Sequence, residues 1–354
     1  MKKSLNYLEV IVKKSFVYVL GLILLKDKRA CTKIAKIFKV SHDSVNRFLS
    51  KNANIAALFP DLMIEMAKHF HSRKNGWLIV DDTALSKIHA KYIEGVQWIY
   101  NSSLRRPEKG ICIVVLAWTN GDITIPIGFR CWHSKKTSIE NYKTKIQLAC
   151  ELITETSKKL GIKKLLADAG YISKDMAAFL INSNIKFVMR IHSVRKVKTK
   201  NGIVMQMRNH PDLKLNRNER SKIVKVEMQG LIVYIVVFKR QIKHTNKYEN
   251  VFLVTNVNKS AKEIIKFYGF RWEIEPMFRT MKQFVGLMQC SSRAKSSQIA
   301  HINAVFLSYS FLQNEKVNKN FSCPEDSVRY LQDLKPSIAA RSFNRFCQEF
   351  CIIA

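Results

Sequence analysis

Two apolar runs in this chain lead straight into acids. Residues 77–80 (WLIV) run into Asp81-Asp82, and residues 165–167 (LLA) run into Asp168. Lys and Arg together number 60 against only 27 Asp and Glu, so where the acids stand is informative. A carboxylate at the end of a buried strand costs desolvation unless something compensates it. Such C-terminal strand edges are also where α/β sheets place ligand sites.

The surrounding pattern specifies a fold. Residues 76–82 read as a buried strand. Residues 110–118 and 122–132 read as two more, joined at Thr119-Asn120-Gly121-Asp122, whose Asn-Gly is a strong hairpin signal. Ile139–Leu160 reads as a long amphipathic helix ending near Gly161, and Lys164–Ala167 as a short strand. Ser173 caps a helix to about Asn182, and Ile185–Ile191 is another strand. The order β-β-β-α-β-α-β predicts an α/β, ribonuclease-H-like core within residues 75–315. A β-rich insertion, 193–258, interrupts it, with strands at 223–228, 231–238 and 251–257. Ser260 and Glu263 then form a capping box for the next helix, and Ile299–Leu312 is a further apolar helix. The segment between Lys87 and Lys109 has no simple strand pattern. It reads either as a DNA-contacting loop using Trp98, Arg105 and Arg106 or as a packed surface loop. Trp132-His133, at the end of the third strand, reads as packed aromatic structure. The tail, 316–354, is broken by Pro324 and Pro336.

The helix after the insertion carries a third acid. In YGFRWEIEPMFRTMK, Tyr268, Arg271, Glu275 and Lys282 fall at offsets 0, +3, +7 and +14. At about 100° per residue a regular α-helix puts all four within a face roughly 60° wide. Glu273 lies on nearly the opposite side. A carboxylate flanked by a tyrosine and two cations is suited to a metal-bound phosphate. Asp81, Asp168 and Glu275 are hard oxygen donors that suit Mg²⁺ or Mn²⁺. Two such ions can activate an attacking oxygen and stabilise a leaving one in phosphoryl displacement. Strand alternation sends Asp81 and Asp82 to opposite faces. Alternation alone leaves open which of the two is the ligand; with Asp81 as ligand, Asp82 is left to orient metal-bound water.

The formal charge of +33 points to a polyanionic partner. Residues 1–74 read as a helical DNA-binding domain, with a helix-turn-helix at about 31–51. Ile34, Ala35, Ile37 and Phe38 form an apolar stripe, Val40-Ser41 the turn, and Val45, Phe48 and Leu49 face inward. His42, Asp43, Ser44, Asn46 and Arg47 are left outside, where a second helix can read a major groove. The eight cysteines form no CxxC pair and read as reduced, buried thiols. No signal peptide is expected. Phe16–Leu25 is ten residues of apolar run flanked by lysines, too short to span a bilayer; it reads as a core helix.

Taken in order, WLIVDDT, LLADAGY, the β-rich insertion and the Tyr-Arg-Glu-Lys set resemble bacterial insertion-sequence DDE transposases of the insertion-sequence-4-like kind. The resemblance covers about 76–315. Its Asp-x-Ser/Thr pattern fits Asp81-Asp82-Thr83 with Asp81 as ligand. It implies that Asp81, Asp168 and Glu275 hold two Mg²⁺ ions and that Tyr268, Arg271 and Lys282 bind phosphates near the cleaved end. It implies a cytoplasmic, nucleoid-associated recombinase that acts as a homodimer across two terminal inverted repeats. Such an enzyme cuts one strand at each end and uses the freed 3′-hydroxyl on the other strand or on target DNA. A DNA hairpin intermediate is compatible with that route. The alternatives are a metal-dependent nuclease on the same scaffold and an inactive remnant that only binds DNA.

Overall fold

A computed structural model describes residues 16–50, 56–102, 104–136, 142–242 and 245–351. Residues 1–15 and 51–55 of the expected helical region lie outside them. Residues 16–24 are helical, and Tyr18, Val19, Leu20, Leu22 and Ile23 are buried, as a core helix requires. Helices α1 (Cys31–Phe38) and α2 (His42–Ser50) follow, then α3 (Phe59–Arg73). Lys39 closes α1 in the left-handed region at φ 52°. The Ser41 hydroxyl accepts the Ser44 N–H at 3.2 Å, capping α2 as its sequence suggests.

The centre is a five-strand block in the order β4 (Thr124–Trp132), β3 (Arg106–Thr119), β1 (Trp77–Ser86), β5 (Lys164–Ala167) and β6 (Lys186–Ile191). The first three strands pair antiparallel, while β5 and β6 run parallel to β1. This is the mixed α/β sheet expected of the element order. The β1 and β3 runs are apolar on both faces because both are covered. Helix α4 (Lys145–Leu160) links β4 to β5, and α5 (Lys174–Asn182) links β5 to β6. The expected start of α4 at Ile139 is corrected: 142–144 are not helical, and 139–141 lie outside the described residues. Thr144 fixes the true start, exchanging hydrogen bonds with Gln147 in a capping box. Gly161 ends the helix in the left-handed region at φ 69°.

The insertion extends the sheet rather than forming a separate layer. Strand β11 (Tyr248–Thr255) pairs antiparallel with β6, and β10 (Leu231–Gln241) and β9 (Ser221–Met228) continue outward. Gln229 and Gly230, both at positive φ, make the β9–β10 turn. Short strands β7 (Lys196–Lys198) and β8 (Val204–Gln206) finish that edge. At the other edge, the segment after β1 contains β2 (Gln97–Asn101), paired antiparallel with the start of β3. The sequence reading of that segment as a loop is therefore corrected.

Helix α6 (Ala261–Gly269) starts at the expected Ser260–Glu263 capping box. The chain then tightens into a 3₁₀ turn over 270–273, returns to α7 (Ile274–Thr280), and widens into a π turn over 281–285 that ends at Gly286. A uniform helix across Tyr268–Lys282 is thus also corrected. Helix α8 (Lys295–Asn318) is longer than the expected 299–312 and is buried on nearly all sides. The tail folds as α9 (Pro324–Asp333) and α10 (Pro336–Cys351), with Phe343, Phe346 and Phe350 buried. No helix among the described residues is long and apolar enough to cross a membrane.

Helix α8 ties the N-terminal helices to the rest. Tyr18 Oη is 2.8 Å from His301 Nδ1, and His301 Nε2 is 3.0 Å from the Gly286 carbonyl. Burial pushes His301 down from 6.5 to about 4. Unfolded chains take up this proton as pH falls through 6.5, whereas the folded protein resists until about 4. Stability is therefore expected to fall across that window by on the order of 3 kcal/mol. Denaturant midpoints near pH 7 and near pH 4.5 for wild type and His301→Gln check this. Identical pH dependence in the two proteins would contradict it.

Candidate active site

Register brings the two aspartates together. Val80 pairs with Ala167 in the parallel β1–β5 ladder, so Asp81 and Asp168 are the next residues on neighbouring strands, about 5 Å apart in sheet spacing. Their equal parity puts them on one face. Asp81 Oδ1 accepts the Asp82 N–H at 2.8 Å, and Asp168 Oδ1 accepts the Ala169 N–H at 2.7 Å. Burial, then the Asp82 and Asp168 charges, push Asp81 up to about 7.

The helical stretch after the insertion crosses this face. Arg271 Nη2 donates to Glu275 Oε1 at 2.6 Å, and its Nη1 lies 3.5 Å from Asp81 Oδ2. The guanidinium also sits 4.6 Å from the Trp272 ring centroid. Burial disfavours its charge, but Tyr268, Glu275, Asp81 and Asp168 outweigh that and raise its pKa. Its buried Nε has no hydrogen-bond partner among the described residues. Tyr268, pushed up to about 12 by burial, lines the same cleft of about 310 Å³ with Asp168, Arg271, Trp272 and Glu275.

Lys282 does not line that cleft. Its electrostatic neighbours are Glu108 and Cys112 of β3, and burial lowers its pKa. The 3₁₀ and π turns change the angular step, so the 100° ruler drifts over fourteen residues. Asp82 turns to the opposite face, as alternation requires. Its carboxylate meets Lys145 Nζ at 2.6 Å and accepts from Tyr171 Oη at 3.2 Å. A water-orienting role beside Asp81 is therefore corrected: Asp82 is committed to α4. Ser44, Asn46 and Arg47 are exposed on α2, together with His42 and Asp43.

Two cleft residues escaped the sequence reading. Arg190 on β6 and Arg240 on β10 both line it, and Arg240 pairs with Glu249. No local motif marks them, because only the pairing of β6, β11 and β10 delivers them here.

The carboxylates suit a divalent cation chemically. Asp81 and Asp168 are forced together at one buried edge, and their donors are hard oxygens. As the side chains stand, however, no three acid, thiol or imidazole groups among the described residues form a metal cage. In this arrangement Arg271 pairs with both Glu275 and Asp81.

The sequence matches a family model described as DDE superfamily endonuclease over residues 13–214, and a second described as transposase DDE domain over 131–311. The chain belongs to the DDE transposase superfamily. The first match contains Asp81 and Asp168, and the second contains Asp168 and Glu275. No curated protein matches this DDE chain. Transposase-type DNA cleavage is the activity that goes with the superfamily.

Proposed function

We propose that this DDE protein is an insertion-sequence transposase that cuts DNA at transposon ends and joins the freed 3′-hydroxyl to a second strand. The observation that carries the reading is the adjacency of Asp81 and Asp168, each one residue past the Val80–Ala167 pair, with Arg271 of the crossing helix bridging Asp81 and Glu275. Asp81, Asp168 and Glu275 would hold Mg²⁺ or Mn²⁺. When bound, a pair of such ions supplies the charge that activates the attacking oxygen and stabilises the leaving one. Arg271 and Tyr268, which line the cleft, would bind a phosphate of the DNA there. Lys282 reaches the DNA farther from the cleft. The insertion-sequence-4-like subfamily fits the Tyr-Arg-Glu-Lys set and the β-rich insertion.

The exposed face of α2, with Ser44, Asn46 and Arg47, would read the terminal repeats within a DNA-binding region spanning residues 1–74, while 75–315 carry the catalysis. A homodimer would hold two ends. Arg47→Ala is expected to weaken binding to the repeats about tenfold without altering thermal unfolding. Unchanged affinity in a gel-shift titration would remove α2 from recognition.

The reading is tested by incubating the protein and Mg²⁺ with DNA carrying the ends and a target plasmid. Products in which the ends are covalently joined to target support transposition. Cut ends that are only released would favour a nuclease on the same scaffold.

A further inference from the structure

The hairpin made by β2 and the first residues of β3 is built inside out. Its polar residues Gln97 and Asn101 are buried, whereas Trp98 and Tyr100 are 67% and 66% exposed. The buried side is fully engaged. The Gln97 amide donates to the Trp132 carbonyl and accepts the Ser134 N–H, both at 2.8 Å. Asn101 Nδ2 donates to Glu108 Oε1 at 2.7 Å, and Asn101 Oδ1 accepts the Leu104 N–H at 3.3 Å. A frame held this firmly from behind presents its two rings to water.

The placement of the rings is specific. Trp98 lies across from Lys109, and Tyr100 across from Pro107. Lys109 has the same parity on β3 as Val115, the partner of Asp81. The pleat therefore puts the rings on the Asp81 face of the sheet. The hairpin begins where Gly110 pairs with Ser86, five residues beyond Asp81, or about 17 Å along β1. Lys109, opposite Trp98, and the turn residue Arg105 are exposed beside the rings. Within the hairpin, residues 97–110, the single acid is Glu108, and it points to the buried side.

We propose that this face binds DNA with unpaired bases. Trp98 and Tyr100 stack on the bases, while Arg105 and Lys109 hold the backbone. Duplex DNA hides its base faces, so flat exposed rings gain only from an opened strand. The chain's charge of +33 and the cations around the rings select a polyanion over a neutral protein surface. The proposal rests on the DNA-cleaving reading above, which brings an opened end to this sheet edge.

The test compares binding of an oligothymidylate of roughly 20 nucleotides with binding of a duplex of the same length. Wild type, Trp98→Ala/Tyr100→Ala and Trp98→Phe/Tyr100→Phe are each titrated by fluorescence anisotropy. Stacking predicts at least about tenfold weaker single-strand binding in the alanine pair, with duplex binding unchanged and the phenylalanine pair close to wild type. Unchanged single-strand affinity in the alanine pair, with normal duplex cleavage, overturns the hairpin assignment alone. Wild type that binds neither probe overturns the DNA-cleaving reading with it. Loss of self-association in the alanine pair, with single-strand binding kept, would assign the rings to a second copy of the chain instead.

Discussion

Asp168→Asn and Glu275→Gln are each expected to abolish DNA cleavage while leaving end binding intact. Each change removes one anionic oxygen donor and preserves side-chain shape. Asp168 caps the 3₁₀ turn at 169–171 through Oδ1, and asparagine's carbonyl oxygen can still accept that N–H. Glu275 ends its chain of contacts at Arg271, so glutamine keeps a hydrogen bond there and loses only the ion pair. Neither change should unfold the protein. The loss expected is at least a thousandfold in cleavage rate, about 4 kcal/mol of transition-state stabilisation. Single-turnover cleavage of an end-bearing oligonucleotide, alongside a binding titration, measures both quantities. Cleavage within about tenfold of wild type in either variant would remove that residue from the metal-binding set, since a loss that small corresponds to only about 1.4 kcal/mol.

Arg271→Ala should give the largest change in folding stability near the site, and its size should depend on Mg²⁺. Arg271 is 5% exposed and is the only cation ion-paired with Asp81 among the described residues. Its removal takes the ion-pair partner from both Asp81 and Glu275. Breaking a buried pair from one side costs on the order of 3 kcal/mol. An ion bound only by the folded state restores stability by mass action, and in the variant no guanidinium competes with it. Mg²⁺ should therefore raise the denaturant midpoint of Arg271→Ala by more than that of wild type. A variant as stable as wild type without Mg²⁺, or one that Mg²⁺ fails to stabilise, would contradict the convergence of the carboxylates.

Much of this architecture is legible because local signals and tertiary packing agree. Apolar runs with turn residues between them became β1, β3 and β4, and Ser41, Ser173 and Ser260 cap the helices their sequence marks. The alternation of exposed and buried residues on α2 matches its polar and apolar pattern residue by residue. Strand β2 was illegible for a physical reason. QWIYN alternates with its polar residues inside and its aromatics outside, which inverts the rule that pattern reading relies on. The helix bearing Glu275 was legible in position but not in pitch. Offsets as short as that from Arg271 to Glu275 survive the 3₁₀ turn, whereas the long offset to Lys282 does not. The pairing of Asp82 with Lys145 joins residues 63 positions apart, and spacing carries no trace of it. Arg190 and Arg240 reach the cleft only through strand order in the insertion.

The account stands most directly on metal-dependent cleavage of supercoiled plasmid carrying this gene with its native flanking DNA, with the cut positions mapped. It predicts cuts at the flanks that require Mg²⁺ or Mn²⁺ and disappear in Asp81→Asn. Folded protein that binds the flanks but leaves them uncut with either ion would contradict it, and would reduce the chain to a DNA-binding member of the superfamily.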